Sequence, residues 1–327
     1  MNKTMEKTVI FLGAGASKAE GAPIQSEMIS QFFRLESLDE EFLSARSLLL
    51  EFLEDVFGMD TQGHHHPYDY PKFEELLGVI DLALARGEQL GSVVRNLHLV
   101  REKFIYLMGK TLEEKIDARH GVHRNLIDIL CTEDRIDNMT FVSTNYDTLA
   151  DDAIAGRRHV NYGPFAPEKK DGVFLYKLHG SLNWTQCSGC GKFRVGAARW
   201  EPCALCGGTR RSIIVPPKYN KNLKNKQLKE VWKRARKVVA AAEHIIFCGY
   251  SFPDADINVK YLLKQGELHG PPPRVTVVNG FDEEGSDKHY IEAGRYRRFY
   301  AAPVNYTGMT FQKFVEEPAA LLALARP

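Results

Sequence analysis

Four of the six cysteines occur as two Cys-x-x-Cys pairs, Cys187/Cys190 and Cys203/Cys206, with a glycine directly after each pair. Four thiolates at this spacing suit a closed tetrahedral zinc site, in which no coordination position is left for chemistry. Two disulfides or free thiols are the alternatives, and a reducing environment favours zinc over disulfides. We predict that residues 184–212 form a small four-cysteine module around a structural Zn²⁺.

Polar residues also follow two apolar runs of the chain. Thr140–Ser143 leads into STNYD, which contains Asn145 and Asp147, and Val173–Leu178 leads into HGS, which begins with His179. Open α/β sheets bind ligands at the carboxyl ends of their strands. Asn and Asp are also common helix N-caps, and His179 beside a turn glycine is otherwise a buried structural histidine. The convergence of several such strand ends on one crevice favours a ligand site over these structural alternatives.

A stretch of small residues, GAGAS (Gly13–Ser17), follows the first apolar run. Its backbone N–H groups are accessible enough to approach phosphate oxygens, and Ser17 adds a hydroxyl. The stretch lacks both the third glycine of the dehydrogenase fingerprint and the Gly-Lys pair of a P-loop. Neither a standard dehydrogenase nor a P-loop kinase or ATPase is therefore supported. A tight strand-to-helix turn without a ligand is the alternative.

Short apolar runs predict the strands that position these motifs. They are Val9–Leu12, Thr140–Ser143, Val173–Leu178, Ile213–Val215, His244–Cys248 and Arg274–Val278. The runs are apolar throughout rather than alternating, which is typical of strands covered on both faces, and helical patterns separate them. The sequence therefore predicts an α/β fold with a doubly wound, Rossmann-like parallel sheet.

The block 26–136 contains amphipathic helical patterns and no convincing strand. We predict a Rossmann-like, nucleotide-binding core of residues 1–25 and 137–327. The block 26–136 is predicted to be a helical insertion, and the zinc module of residues 184–212 lies within the core.

The charge and hydropathy of the sequence argue against nucleic acids and membranes as partners. The 327 residues include 43 Lys and Arg against 42 Asp and Glu, so no net field recruits nucleic acid or membranes. The basic run 222–244 also carries a regular apolar stripe, which indicates a solvated helix face rather than direct nucleic-acid binding. No apolar stretch approaches the roughly 20 residues of a membrane span, and no export signal is evident. We expect a soluble, cytoplasmic protein.

The order of the motifs resembles the sirtuin family of NAD-consuming enzymes. GAGAS is followed by Gly-x-Pro at 21–23, Thr-Asn-x-Asp at 144–147, Leu-His-Gly-Ser at 178–181 and the two cysteine pairs. FCGYSFPDAD at 247–256 and VVN at 277–279 lie where sirtuins hold the adenosine half of NAD. The resemblance spans most of the chain except the helical block.

The resemblance implies that NAD is the substrate and that Asn145 and His179 are catalytic, His179 as general base near the ribose hydroxyls. The NAD-binding residues that it implies are Gly13, Ala14, Gly15, Ser17, Pro23, Asp147, Gly249, Ser251 and Asn279. Cleavage of the nicotinamide–ribose bond passes through an oxocarbenium-like state. In such a reaction an amide can position the incoming oxygen, and an imidazole suits proton removal at neutral pH.

Two enzyme activities begin with cleavage of the nicotinamide–ribose bond. In a protein deacylase an acyl-lysine oxygen captures the ribosyl cation, and in an NAD hydrolase water does so. Sirtuin deacylases usually continue Gly-x-Pro with Asp-Phe-Arg, whereas Ile24-Gln25-Ser26 follows Pro23. Pro216 and Pro217 also remove backbone donors that an added peptide strand needs. These departures resemble bacterial sirtuin-like NAD hydrolases of anti-phage defence.

We therefore expect hydrolysis of NAD⁺ to nicotinamide and ADP-ribose. An NAD-dependent protein-lysine deacylase is the alternative, and an NAD or ADP-ribose sensor without catalysis is the second alternative. The resemblance further implies a homo-oligomer or a companion defence protein, such as an ATPase, in contact with the helical insertion.

Overall fold

A computed structural model of the chain describes residues 6–36, 39–60, 66, 69–92, 95–117, 121–165, 167–196, 202–216, 225–280 and 287–317. Contacts divide the chain into two compact units. The first unit holds the residues up to Glu20 and those after Asp117, and the second is Gly21–Asp117. The finer predicted division into core, insertion and zinc module stays a prediction.

The strands, in chain order, are β1 (Thr8–Leu12), β2 (Met139–Ser143), β3 (Val160–Asn161), β4 (Val173–Lys177), β5 (Gly180–Cys187), β6 (Phe193–Val195), β7 (Arg210–Ile214), β8 (His244–Cys248), β9 (Arg274–Val278) and β10 (Val304–Tyr306). The helices of the first unit are α1 (Ala14–Lys18), α6 (Val122–Thr132), α7 (Leu149–Ala155), α8 (Lys226–Ala240), α9 (Ile257–His269), α10 (Asp287–Phe299) and α11 (Phe311–Glu316). Those of the second unit are α2 (Met28–Arg34), α3 (Glu40–Phe57), α4 (Phe73–Arg86) and α5 (Leu97–Lys115).

A seven-stranded sheet with the spatial order β10-β9-β8-β1-β2-β4-β3 forms the core of the first unit. All of its strand pairs are parallel. Every residue of β1 and β8 is buried, as expected for central strands with helices on both faces. The predicted doubly wound α/β fold is confirmed.

One predicted strand belongs elsewhere. The apolar run at 213–215 was expected to join the parallel sheet, but β7 pairs antiparallel with β5 in a separate three-stranded sheet of order β6-β5-β7. That expectation is wrong because a short apolar run is the same in a buried parallel strand and in the strand of a small antiparallel sheet. The strands β3, β5, β6 and β10 were not predicted.

The second unit is helical in its described residues. Asp39 caps the amino end of the long helix α3, since its carboxylate accepts a hydrogen bond from the Glu41 N–H at 2.9 Å. The helix α4 is followed by Gly87, whose φ of 69° is the left-handed conformation in which many helices end. Aromatic rings fill the interior, among them the edge-to-face pair Phe52 and Phe104, 5.7 Å apart. In the described part of the chain, no helix has the length and apolar composition that crossing a membrane requires.

Candidate functional site

Five neighbouring strands of the parallel sheet end at the same level. In the sheet register, Leu12 pairs with Ser143 and with Cys248, Ser143 pairs with Lys177, and Cys248 pairs with Val278. The residues that follow these ends by one or two positions are Gly13, Asn145, His179, Gly249 and Asn279. The fold therefore brings these predicted site residues to one edge of the sheet, the carboxyl edge at which open α/β sheets bind ligands.

Asn145 is held by two neighbouring strand-end loops. Its amide nitrogen donates to the main-chain oxygen of Gly13 at 2.9 Å and to Ser17 Oγ at 2.8 Å. Because Gly13 O only accepts, the atom that faces it must be the amide nitrogen. Both amide hydrogens are thus used within the protein, and Oδ1 is the polar atom of Asn145 that can accept a hydrogen bond from a ligand.

Asp147 completes this network. Its Oδ2 accepts a hydrogen bond from Ser17 Oγ at 2.7 Å, and its Oδ1 accepts from the Leu149 N–H at 3.1 Å, at the start of α7. Asp147 therefore accepts from the first residue of α7 and orients Ser17, whereas the N-cap position of this helix is Thr148. Since Ser17 donates its hydrogen to Asp147, its predicted donation to a pyrophosphate stays a prediction.

The glycines of GAGAS pack against the loop that follows β8. A Cβ on Gly13 would lie 2.5 Å from Tyr250 Cα, and one on Gly15 would lie 2.8 Å from Gly249 Cα. Gly249 has a φ of 62°, and a Cβ there would lie 2.0 Å from Ala16 N. The small side chains at these positions are thus required by contact between two loops, whatever ligand the loops hold.

The N–H groups of two of these glycines are already used. The Gly13 N–H donates to Cys248 O at 2.9 Å, and the Gly15 N–H donates to Gly249 O at 2.7 Å. Ala14 is the first residue of α1. The predicted contacts of Gly13, Ala14 and Gly15 with a pyrophosphate stay predictions.

His179 lies between β4 and β5 and is completely buried. Its Nδ1 is 3.0 Å from Val215 O, so Nδ1 carries a hydrogen and the neutral ring has its lone pair on Nε2. Nε2 lies 3.3 Å from Oδ1 of the buried Asp256, whose Oδ2 accepts a hydrogen bond from Tyr250 OH at 2.9 Å. A carboxylate at this distance stabilises the imidazolium that forms when Nε2 takes a proton.

Asp256 was missed by sequence reasoning, although it ends the FCGYSFPDAD motif. An acidic residue in a loop beyond a strand end is the signal that could have found it. A second missed feature is Lys177, the last residue of β4, which pairs with Asp151 of α7 in the interior of the unit. A lysine that ends an otherwise apolar strand is the corresponding signal there.

Three further residues were predicted to bind NAD, namely Ser251, Asn279 and Pro23. Ser251 is exposed, and its main-chain oxygen accepts a hydrogen bond from Arg295. Asn279 donates to Glu292 Oε2 at 2.5 Å, and burial raises the pKa of the Glu292 carboxyl. Pro23 belongs to the unit Gly21–Asp117. Their roles toward NAD stay predictions.

The four paired cysteines come together, with their sulfur atoms all within 4.8 Å of one another. Cys187 and Cys206 sulfurs are 3.4 Å apart, and Cys190 and Cys203 sulfurs are 3.7 Å apart. Tetrahedral zinc with Zn–S bonds of about 2.3 Å needs sulfurs about 3.8 Å apart, so the cluster fits this ion.

The surroundings of Cys203 and Cys187 favour thiolates. Hydrogen bonding from the Leu205 N–H, more than any other contact, lowers the pKa of Cys203 to about 6, although burial opposes it. The Cys190 N–H likewise lowers the pKa of Cys187. The Lys192 N–H lowers the pKa of Cys190, but contacts with the neighbouring thiols and burial outweigh it and raise this pKa to about 11. The guanidinium of the buried Arg210 lies 3.5 Å from Cys203 Sγ and adds a positive charge beside the cluster. Zinc binds thiolates, so this environment suits a structural metal.

Comparisons with known proteins agree with the motif order. Residues 139–295 match the family model described as SIR2-like domain. Similar solved structures include Sir2Tm bound to a propionylated peptide, with 16% identity, a TM-score of 0.45 and coverage of 97% of this chain and 93% of that chain. Another is a complex of Sir2, a p53 peptide and NAD⁺, with 16% identity, a TM-score of 0.45 and coverage of 98% and 94%. No curated protein matches the chain. Residues 139–295 match the SIR2-like domain model, and the resemblance to sirtuins is confirmed for this part of the chain.

Proposed function

We propose that the chain is an NAD⁺ hydrolase that cleaves the bond between nicotinamide and ribose and transfers the ribosyl group to water. The products are nicotinamide and ADP-ribose, with release of one proton. The SIR2-like domain supports NAD as the substrate, and the polar groups gathered at the carboxyl edge of the sheet support catalysis there.

In this proposal Asn145 orients the attacking water. Its Oδ1 accepts a hydrogen bond from the water, while the contacts to Gly13 and Ser17 fix the amide plane. A water held in this way meets C1′ of the ribose as nicotinamide departs from the oxocarbenium-like state. The amide contributes orientation, and it carries no proton in the reaction.

His179 takes up the proton that the reaction releases at the ribose. The lone pair on Nε2 makes this atom the base, and the bond from Nδ1 to Val215 O holds the ring in the required tautomer. Asp256 then stabilises the imidazolium. Water can remove the proton from His179 after the products leave, which returns the ring to its neutral form.

The observation that favours hydrolysis over deacylation is that both main-chain groups of Val215, directly after β7, form hydrogen bonds within the protein. Its N–H donates to His179 O at 2.9 Å, and its carbonyl accepts from His179 Nδ1. The next residue, Pro216, has no N–H. A peptide that adds as a strand needs free main-chain donors and acceptors, and this segment uses those of Val215 internally.

The three functions are separated by the products formed from NAD with and without an acetyl-lysine peptide. The proposal predicts equal amounts of nicotinamide and ADP-ribose without peptide, at a rate that the peptide leaves unchanged. Nicotinamide that appears only with peptide, together with acyl-ADP-ribose, would identify a deacylase. Binding of NAD without any nicotinamide would identify a sensor. Chromatography of the reaction mixture distinguishes these outcomes.

We further propose that the activity serves anti-phage defence in the cytoplasm. The helical unit is the proposed contact with a second copy or with a companion protein such as an ATPase. Cells that carry the chain are expected to lose NAD after phage infection, whereas cells that carry a His179→Ala variant keep it. Equal NAD levels in the two strains throughout infection would contradict the defence role.

A further inference from the structure

A buried ion pair lies next to the STNYD loop and has no part in the chemistry proposed above. Lys177 Nζ is 2.9 Å from Asp151 Oδ2, and the two side chains are 1% and 3% exposed. Burial of charges is unfavourable unless they are paired and fully hydrogen-bonded. Such a pair contributes little to stability over an apolar pair of similar volume, so its presence beside a candidate site suggests another role.

The hydrogen bonds of the pair are complete. The Lys177 ammonium donates to Asp151 Oδ2, to Ser181 Oγ at 2.6 Å and to the main-chain oxygen of Asp147. Asp151 Oδ1 accepts from Tyr162 OH at 2.6 Å and from Asn183 Nδ2 at 3.1 Å. Partners on β5, in the STNYD loop and directly after β3 therefore fix both charges in one geometry.

The contact with Asp147 connects this pair to the candidate catalytic amide. Lys177 binds the main-chain oxygen of Asp147, and the Asp147 carboxylate accepts from Ser17 Oγ. Ser17 Oγ in turn accepts from Asn145 Nδ2. A continuous series of hydrogen bonds thus runs from Lys177 to Asn145, within one compact unit of the chain.

We propose that Lys177 and Asp151 are positioning residues for the STNYD loop. They hold the main chain at Asp147 and so fix the direction of Asn145 Oδ1. The inference rests on the proposed function, in which that oxygen orients the attacking water. A misplacement of about 1 Å in a reacting group can lower a rate by about 100-fold, so a displaced loop is expected to reduce kcat strongly.

The test uses the double variant K177M/D151L. It replaces the ion pair with apolar side chains, so no isolated charge stays buried and the unit is expected to fold. Its Tm is expected to lie below that of the wild type, because Ser181, Tyr162 and Asn183 each lose a buried hydrogen-bond partner. The proposal predicts a kcat for NAD cleavage about 100-fold below that of the wild type, with little change in KM. The control is R101M/D81L, which removes the ion pair of Arg101 and Asp81 in the helical unit, 2.5 Å apart. It is expected to keep the wild-type kcat.

A wild-type kcat in folded K177M/D151L would overturn the proposal, because the pair would then be structural only. If this variant does not fold, the kcat of Tyr162→Phe tests the proposal instead. This substitution removes one hydrogen-bond donor to Asp151 and keeps the aromatic ring. A lower kcat at unchanged KM supports positioning, and an unchanged kcat overturns it.

A crystal structure of K177M/D151L, or of Y162F if the double variant does not fold, makes the inference testable apart from the activity. Positioning predicts that the Asn145 amide loses its bonds to Gly13 O and Ser17 Oγ. An Asn145 that keeps both bonds would overturn the inference. Failure of the wild-type chain to cleave NAD would instead contradict the proposed function, and the variant structure would still decide the inference.

Discussion

Replacement of Asn145 by alanine is expected to lower kcat for NAD cleavage by about 1,000-fold, the effect of removing one preorganised polar group from an active site. The amide nitrogen is fixed by Gly13 O and Ser17 Oγ, so alanine removes the single acceptor that orients water. Two buried hydrogen bonds are lost as well, each worth about 1 kcal/mol of stability. Initial rates of nicotinamide release, with Tm as the measure of folding, separate the two effects.

Asn161→Ala is the matched control for this variant. Asn161 is also buried, and its amide bonds the main-chain N–H and oxygen of Lys169, each at 2.9 Å. It lies on the edge strand β3 and pairs with Phe174, near the amino end of β4 and away from the carboxyl edge of the sheet. Its loss is expected to lower Tm by a similar amount and to leave kcat unchanged. An N145A variant with a kcat within about tenfold of the wild type would contradict the role of the amide.

Replacement of Cys203 by serine is expected to abolish binding of one zinc ion per chain and to unfold the β6-β5-β7 sheet around the cysteines. Structural zinc contributes about 10–16 kcal/mol of apparent binding free energy near pH 7, far more than a short sheet of this kind supplies by itself. The β7 strand leads directly to Val215, the acceptor for His179 Nδ1. NAD cleavage is therefore expected to fall together with the zinc content, which metal analysis measures.

Cys131→Ser is the control, because Cys131 lies in α6, outside the cysteine cluster. It is expected to keep zinc and activity. The pH dependence provides a second readout. The pKa of Cys203 is about 6, but that of Cys190 is about 11, and both thiols must lose a proton to bind zinc. Zinc binding is therefore expected to weaken steadily as the pH falls through and below neutrality. A C203S variant with full zinc content would contradict the site.

The strand ends of the parallel sheet were predictable because each strand is a short apolar run followed at once by polar or small residues. The runs that lead to Gly13, Asn145, His179 and Gly249 all form neighbouring parallel strands. The run before Pro216 was assigned to the wrong sheet. Its hydrophobic residues satisfy the same local pattern, and only long-range pairing with β5 decides its place.

The role of the glycines could not be decided from local sequence. Small residues in GAGAS are compatible with a bound phosphate, and they are equally compatible with close contact to another part of the protein. Gly249 makes such a contact with Ala16, more than 230 residues away along the chain. The sequence shows where glycines occur, whereas only the fold shows which neighbouring residue leaves no room for a side chain there.

The pairing of the charged residues within the site was not predictable for a related reason. A lysine at the end of an apolar strand marks Lys177 as unusual, but the sequence does not show that its partner is Asp151, since a lone aspartate is most often exposed. The two residues are 26 positions apart, and α7 and β4 bring them together. His179 and Asp256 meet in the same way, through loops that follow different strands of one sheet.

The most direct test of the account is the time course of NAD cleavage by the wild-type chain and by His179→Ala, without acyl peptide. His244→Gln is the control, because His244 is equally buried but lies at the amino end of β8, where its Nε2 is 2.9 Å from Thr276 Oγ1. The account predicts nicotinamide and ADP-ribose in equal amounts from the wild type and from H244Q, and a rate about 1,000-fold lower from H179A. A wild-type chain that releases no nicotinamide, or a folded H179A variant that releases it at the wild-type rate, would contradict the account.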